Sequence, residues 1–237
     1  MTGSRVIFAL DFASLEQARS MATTLGDAVG MLKVGLELFT VAGPPALRLG
    51  KETARPIFLD LKLHDIPATV ERAVAGASAL GAAIVTVHAS GGPAMLRRAA
   101  ERARKDGAGL EIAAITVLTS LDARDLQAIG VAGDVATQAG RLARMAWDEG
   151  VRTFVCSPHE APELRALLGK EAILVTPGVR ATDSAEQHDQ KRTMSAAEAV
   201  RAGADWVVVG RPIRDAADPL RAARDIAREV DRARSDG

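Results

Sequence analysis

The residues best suited to chemistry lie in one short stretch, Phe58-Leu59-Asp60-Leu61-Lys62-Leu63-His64-Asp65-Ile66-Pro67. Side chains alternate across a β-strand, so Asp60 and Lys62 point to one face, together with Phe58. The opposite face is apolar and suited to packing against helices (Ile57, Leu59, Leu61 and Leu63). A charge that faces a packed interior is costly unless it is paired or functional, and Pro67 is a favourable first residue of a helix. The pattern therefore predicts a strand, a charged loop and a helix start, which is where active sites of parallel α/β folds lie.

Two more charged residues, Asp11 and Lys33, follow earlier apolar runs, so the charges alternate in sign along a possible chain that ends at Asp65. In such a chain, carboxylates stabilise the protonated form of each lysine. A protonated Lys62 is a poor nucleophile but can donate a proton to a developing carbanion. Two alternatives stay open. The charges could form an ion-pair network with a purely structural role, or Lys62 could form a Schiff base, which requires the neutral amine that carboxylates disfavour.

Two segments near the C-terminus have the composition of a phosphate site. These are Thr176-Pro177-Gly178-Val179-Arg180 and Val209-Gly210-Arg211, after the last two apolar runs. Barrels commonly bind phosphate with those two loops, through backbone N–H groups and arginine. The alternative is that Arg180 and Arg211 are solvated surface charges. The polar stretch from Gly178 to about Thr193 lacks hydrophobic periodicity and predicts a functional lid, from which Gln190 could reach the phosphate.

Other reactive residue types receive plainer interpretations. His64 and His88 are not accompanied by a helical histidine pair or a Cys/His cluster, so no metal site is predicted. The single cysteine, Cys156, excludes an internal disulfide and fits a core position in a protein of a reducing compartment. No Gly-x-Gly-x-x-Gly dinucleotide fingerprint is present.

Composition limits the class of protein. The 237 residues are 48% hydrophobic but only 3% aromatic, and 30 basic residues balance 30 acidic ones. A zero net charge argues against a nucleic-acid or anionic-membrane surface. With neither a signal-peptide pattern nor an apolar stretch of membrane-spanning length, we expect a cytoplasmic protein.

The elements that must position these groups recur along the whole chain. Eight short apolar runs each end in a polar residue, Gly or Pro: Val6–Asp11, Val29–Gly35, Pro56–Lys62, Ala82–His88, Glu111–Leu118, Val151–Cys156, Ala172–Pro177 and Asp205–Gly210. Helical patterns separate them, so we expect residues 1–237 to form a single (β/α)8 TIM barrel domain. An open doubly wound sheet is the alternative. In a barrel, the polar ends of all eight strands converge on one mouth.

These residues resemble the orotidine 5′-monophosphate decarboxylase family. The resemblance rests on Ala9-Leu10-Asp11, Leu32-Lys33-Val34-Gly35, Asp60 to Thr69, Leu118-Thr119-Ser120, Thr176 to Arg180, Asp189-Gln190 and Val209-Gly210-Arg211, in family order from the first strand to the last. It implies a carboxy-lyase without metal or cofactor that converts orotidine monophosphate to uridine monophosphate and carbon dioxide in pyrimidine biosynthesis. Its expected partners are this nucleotide and a second copy of the chain, with neither nucleic acid nor membrane.

The resemblance also implies residue roles. Lys62 would protonate the ring carbon, Asp60 would lie against the departing carboxylate, and Lys33 and Asp65 would complete the charge chain. The substrate-binding set would be Asp11, Lys33, Ile66, Thr69, Ser120, Pro177, Arg180, Gln190, Gly210 and Arg211. Within it, Asp11 and Lys33 would hold ribose hydroxyls, Ser120 would contact the pyrimidine edge, and Arg180, Gln190, Gly210 and Arg211 would bind phosphate. Asp65, Ile66 and Thr69 would reach the neighbouring subunit's site.

The sequence departs from the family pattern at two places. Ala68 stands where Asn is usual, and Met194-Ser195 replaces the usual Thr-Pro after the phosphate loop. These departures bear on the dimer contact and on the hinge of the lid. Two rival functions are an enzyme of the same superfamily that acts on a keto-sugar phosphate with magnesium, and a non-catalytic nucleotide-binding barrel.

Overall fold

The fold is a closed barrel of eight parallel strands, seen in a computed structural model that describes residues 4–180 and 194–235. The barrel strands are β1 (Val6–Ala9), β2 (Met31–Gly35), β3 (Ile57–Leu63), β4 (Ile84–His88), β5 (Glu111–Ile115), β6 (Thr153–Val155), β7 (Ile173–Thr176) and β10 (Trp206–Val209). Two short strands, β8 (Val179–Arg180) and β9 (Met194–Ser195), pair in parallel outside the barrel. Because β1 pairs with β10, the first strand joins the last and the sheet has no edge. The barrel prediction is confirmed and the open-sheet alternative is wrong.

Helices alternate with the barrel strands. They are α1 (Leu15–Leu25), α2 (Leu36–Ala42), α3 (Arg48–Thr53), α4 (Pro67–Ala79), α5 (Pro93–Asp106), α6 (Ala123–Ala128), α7 (Val135–Asp148), α8 (Ala161–Leu168), α9 (Ala196–Arg201), α10 (Arg211–Arg214) and α11 (Pro219–Ser235). Their starts follow local chemistry. The Ser14 side chain accepts the Gln17 N–H at the start of α1, and Pro67 is the first residue of α4 as predicted.

The core has two parts separated by the sheet. Alternate strand residues fill the barrel interior in a small apolar cluster: Ile7, Ala9, Met31, Phe58, Ile84, Ala113, Val175 and Val208. The other strand residues, Ile57 and Leu59 among them, pack outward against the helices. The predicted division of β3 is thus confirmed, since Phe58 faces the interior while Leu61 and Leu63 contact the outer layer.

The structure corrects several boundaries. Most strands are shorter than the apolar runs, since β1 ends at Ala9 and β5 at Ile115. Three short helices, α2, α6 and α10, and the β8–β9 pair were not expected from the sequence. The predicted lid and its Gln190 fall largely on residues 181–193, outside the described residues.

Ser195, one of the two departures from the family pattern, has a local structural role. It caps α9, where its hydroxyl accepts the Glu198 N–H at 3.2 Å and its own N–H donates to the Glu198 carboxylate at 2.9 Å. This reciprocal pair is a capping box. Over the described ranges, none of the helices has the length and apolar character needed to cross a membrane.

Candidate active site

The carboxyl ends of the first four strands bring together five polar side chains. Lys33 lies on β2, Asp60 and Lys62 on β3, Thr86 on β4, and Asp11 follows β1. Neighbouring parallel strands end at the same side of a barrel, so these groups meet at the mouth directly above the apolar interior. The structure thus joins four of the five charges that the sequence predicted to form a chain.

Asp60 is the centre of this cluster. Its side chain accepts two contacts from the Lys62 ammonium, at 2.8 Å to Oδ1 and 2.9 Å to Oδ2. The Lys33 ammonium lies 3.6 Å from Oδ2, and the Thr86 hydroxyl donates to Oδ1 at 3.0 Å. Asp60 is only 8% exposed, so this carboxylate is shared among three donors in a nearly dry setting.

The ionisation of Asp60 follows from a competition of two effects. Burial by itself would raise its pKa, because a low-polarity interior disfavours the charged form. The positive charges of Lys33 and Lys62, with hydrogen bonds from Lys62 and Thr86, outweigh burial and hold the pKa of Asp60 below its usual value. Asp60 is therefore a carboxylate at neutral pH.

Lys33 connects Asp60 to Asp11. Its ammonium lies 3.3 Å from Asp11 Oδ1, and its side chain is 12% exposed. The glycine at position 35 makes room for it, since a Cβ built there would lie 2.8 Å from Lys33 Nζ and 3.3 Å from Asp11 Oδ1. Arg214 fixes the other side of Asp11 by donating to its carbonyl oxygen at 3.2 Å. This contact of Arg214 was not predicted, because nothing in the sequence pattern places α10 next to the end of β1.

Lys62 has an unusual backbone conformation. Its φ is +51°, one of two positive values among the described non-glycine residues. The pairing of β3 with β4 is irregular at this point, because Leu59 pairs with Val85 and Leu63 with Val87. The backbone N–H of Lys62 donates instead to the Thr86 hydroxyl, at 2.7 Å. Thr86 was not predicted as a site residue, although the alternation of Ile84, Thr86 and His88 along β4 indicates that its hydroxyl faces the interior.

The two histidines lie next to each other beside the cluster. Their ring centroids are 5.4 Å apart. Burial, followed by the neighbouring His64 and Lys62, lowers the pKa of His88, so its imidazole is neutral at physiological pH. Within residues 4–180 and 194–235, no group of three or more His, Cys, Asp or Glu side chains is placed to hold a metal ion.

Asp65, Ile66 and Thr69 form no hydrogen bond or ion pair with this cluster among the described residues. Asp65 is exposed, and its Oδ1 accepts the backbone N–H of Ile66 at 2.6 Å. In the described part of the chain it forms no ion pair, so Asp65 does not join the charge chain of its own subunit. Ile66 is 66% exposed, an unusual setting for a large apolar side chain, and Thr69 is half-buried in the first turn of α4.

The two predicted phosphate loops are neighbours. Strands β7 and β10 pair through Trp206 with Val175 and Val207 with Thr176, so the loops that follow them begin side by side. Gly178 turns the first loop with a φ of +83°, which favours glycine. In the second loop Gly210 precedes Arg211, which is exposed and forms no ion pair with the described residues. Pro177 is half-buried, Arg180 is described only by its backbone in β8, and Gln190 lies outside the described residues.

Ser120 lies in the turn after β5, where it is exposed. The Leu121 N–H donates to the Leu118 carbonyl at 2.9 Å and closes this turn. Ser120 forms no hydrogen bond with the charged cluster among the described residues.

The arrangement holds an ammonium group and an ionised carboxylate in contact at the mouth of the barrel, where the two loops predicted to bind phosphate also begin. Such a cluster can stabilise negative charge that develops next to Lys62, and Lys62 has protons to donate.

Comparison with known proteins agrees with this geometry. The sequence profile of the orotidine 5′-phosphate decarboxylase/HUMPS family matches residues 4–226. Orotidine 5′-phosphate decarboxylase from Anaeromyxobacter sp. is 52% identical over 223 residues, which cover 94% of this chain and 96% of that protein. The enzyme of the same name from Trichlorobacter lovleyi is 45% identical over 230 residues, covering 96% and 95%. The crystal structure of orotidine 5′-phosphate decarboxylase from Lactobacillus acidophilus superposes with a TM-score of 0.83 at 34% identity, covering 96% of this chain and 99% of that one. The chain therefore belongs to the orotidine 5′-phosphate decarboxylase/HUMPS family.

Proposed function

We propose that this protein decarboxylates orotidine 5′-monophosphate to uridine 5′-monophosphate and carbon dioxide in pyrimidine biosynthesis, with Lys62 as the proton donor. The relatives named for this reaction share 44–52% of their residues with the chain. The observation that carries the mechanism is the contact of the Lys62 ammonium with both oxygens of Asp60, at 2.8 and 2.9 Å.

The proposed reaction is a direct decarboxylation. The bond between the ring carbon and the substrate carboxylate breaks, carbon dioxide leaves, and the electron pair stays on the ring carbon. Lys62 then gives one ammonium proton to that carbon and recovers a proton from water. An ammonium already fixed in place stabilises the negative ring more than the neutral one, so its effect is greatest in the transition state.

Asp60 has two roles in the proposed reaction. It holds the Lys62 ammonium in place, and it would lie against the substrate carboxylate that departs. The same buried contacts that keep Asp60 ionised also place its charge at the mouth of the barrel. Asp11 and Lys33, joined at 3.3 Å, would hold the ribose hydroxyls, and Ser120 would contact the pyrimidine edge.

Phosphate binding is proposed for the loops after β7 and β10. Their side-by-side starts support it, as does the exposed Arg211, which forms no ion pair within the described residues. Gly210 would let the ligand approach the backbone closely, and Pro177, Arg180 and Gln190 complete the proposed set. Binding energy from the phosphate, remote from the reacting carbon, could then order the site.

We also propose a homodimer in which Asp65, Ile66 and Thr69 complete the partner's site. Two observations support it. Asp65 forms no ion pair within its own described chain, and three large apolar side chains after β2 and β3 are exposed: Leu36 at 55%, Val41 at 61% and Ile66 at 66%. Large apolar side chains that are exposed in a single subunit are available for burial against a second one.

Lys62→Ala should lower turnover of orotidine monophosphate by at least about 1,000-fold, because both the donated proton and the charge opposite the carbanion are lost. The dissociation constant of uridine monophosphate should change much less. Loss of orotate absorbance in excess chelator measures turnover and also tests the magnesium-dependent rival. Lys170→Ala, at an exposed lysine, is the matched control. Near-normal turnover of Lys62→Ala would refute the proton-donor role.

Arg211→Ala should weaken binding of uridine monophosphate about 10- to 100-fold, the loss expected for a charge-assisted contact to phosphate. Binding of unphosphorylated uridine should not change. Calorimetric titration of both ligands checks this, with Arg221→Ala as control because that side chain is 81% exposed. An equal loss for the two ligands would contradict the phosphate assignment.

Mixing two inactive variants tests the shared site. If Asp65 serves the partner's Lys62, the hybrid of Lys62→Ala and Asp65→Asn subunits contains one intact site and one with both changes. With random subunit exchange, a 1:1 mixture should recover about a quarter of wild-type activity. If Asp65 acts in its own subunit, mixing restores nothing, and a monomer in solution would also overturn the proposal.

The pH dependence of stability tests the ionised state of Asp60. Its pKa is lowered in the folded protein, so its ionised form adds stability above the unfolded value of about 3.9 and loses it as the pH falls through the folded-state pKa. Asn cannot titrate. The free energy of unfolding of the wild type relative to Asp60→Asn should therefore be constant near pH 6 and decrease below about pH 4. Urea unfolding at each pH measures it. A difference that grows on acidification would indicate a raised pKa instead.

A further inference from the structure

The strand pairing around Thr86 is interrupted at the reacting residues. Leu59 pairs with Val85 and Leu63 with Val87, so the three residues 60–62 lie opposite Thr86 alone. This is a bulge, which bends a strand and redirects its side chains. Both Asp60 and Lys62 lie within it, and Lys62 has the positive φ of +51°.

The Thr86 hydroxyl fills the gap in the pairing. It accepts the Lys62 backbone N–H at 2.7 Å and lies 3.0 Å from Asp60 Oδ1, with Thr86 itself fully buried. A hydroxyl has a single proton to donate. Both neighbouring groups are fixed in direction, since the Lys62 N–H can only donate and an ionised carboxylate can only accept, so the hydroxyl accepts from Lys62 and donates its proton to Asp60. Its polarity therefore suits an ionised carboxylate.

We infer that Thr86 is a positioning residue for the proposed decarboxylation, whose hydroxyl fixes the strained Lys62 backbone and the Asp60 carboxylate in one arrangement. This inference rests on the proposed function and extends it to a residue that does not touch the substrate. A positive φ is costly for a residue with a side chain and persists only where the surroundings enforce it. The hydrogen bond to the Lys62 N–H is such an enforcement.

Removal of the Thr86 hydroxyl would break both of its hydrogen bonds, one to the Lys62 backbone and one to the Asp60 carboxylate. The Lys62 N–H would lose its acceptor, so the backbone could relax and the ammonium would leave its contact with both Asp60 oxygens. Asp60 would lose one donor that favours its ionised form. The charged and titratable groups around Asp60 would otherwise be unchanged. These are Lys33 from β2, Lys62 from β3, His88 from β4, the adjacent His64, and Asp11 through Lys33.

The test compares Thr86→Val, which keeps the shape without the hydroxyl, with Thr86→Ser, which keeps the hydroxyl. Thr153→Val is the matched control, since Thr153 is also buried in a barrel strand and its hydroxyl has no partner among the described residues. We expect Thr86→Val to lower kcat about 10- to 100-fold with KM changed less than about threefold, as for the loss of hydrogen bonds to charged groups. Thr86→Ser should recover most of kcat, and Thr153→Val should resemble the wild type.

The pH profile separates positioning from a merely structural role. The acid limb of kcat/KM should move up by about one pH unit in Thr86→Val, because Asp60 becomes easier to protonate. Ionisation of the substrate affects every variant equally, so the pH profiles of kcat/KM for Thr153→Val and the wild type should superpose. A Thr86→Val enzyme with wild-type kcat and acid limb would overturn the inference, as would a loss confined to thermal stability. If Thr86→Val does not fold, Thr86→Cys, with its weaker donor, should lie below Thr86→Ser in kcat.

A double-mutant cycle tests the coupling between Thr86 and Asp60 without any measurement of catalysis. Free energies of unfolding in urea for wild type, Thr86→Val, Asp60→Asn and the double variant should show that the two changes are not additive. If the wild-type protein does not decarboxylate orotidine monophosphate, the proposed function fails while this coupling persists, and if Lys62→Ala retains turnover, only the proton-donor role fails. If Lys62→Ala is inactive but Thr86→Val behaves like Thr153→Val and the cycle is additive, the positioning role alone fails.

Discussion

An ionised carboxylate in a nearly dry protein interior is stable only where cations and donors surround it, and Asp60 is such a group. The other features of the site follow from this requirement. One ammonium group approaches it from the neighbouring strand β2 and one from its own strand β3, and a threonine hydroxyl on β4 supplies a third donor. Gly35 leaves room for the Lys33 ammonium in this position, because a Cβ there would lie 2.8 Å from Lys33 Nζ. The bulge in β3 places the Lys62 ammonium against the carboxylate of Asp60, which lies two residues earlier in the sequence.

The apolar interior of the barrel strengthens the electrostatic interactions of the charged cluster at its mouth. Below it, the strand residues that face inward are apolar, with Phe58 directly preceding the charged pair on the same face of β3. A low-polarity layer strengthens every electrostatic interaction next to it, and it also raises the free-energy cost of a charged or polar group that lacks a partner. Charges at the mouth therefore interact strongly with each other and would interact strongly with any charge formed in a bound molecule.

The sequence predicted the parts of this structure that follow from periodicity. Eight apolar runs with polar ends predicted the barrel, and alternation placed Asp60 inside it. The short helices α2 and α6 were missed because six or seven residues do not show a helical period.

The bulge was missed because nothing in Leu61-Lys62-Leu63 marks a positive φ, where glycine would be the usual signal. Thr86 was missed because threonine is common in strands, and its role depends on an irregularity in the neighbouring strand. Asp65 was expected in the charge chain from the alternation of charges and from the family resemblance, and it is exposed without an ion pair to the described residues of its own chain.

The order of the strands also has a consequence for synthesis of the chain. All members of the charged cluster come from β1 to β4, within the first 88 residues, whereas Gly210 and Arg211 follow the final strand. Proteins emerge from the ribosome N-terminus first. The nascent chain therefore contains the reactive charges long before β10 is available to close the sheet against β1. Until then the partly made sheet has open edges, so a half-translated copy presents both unsatisfied strands and unshielded charges to its surroundings.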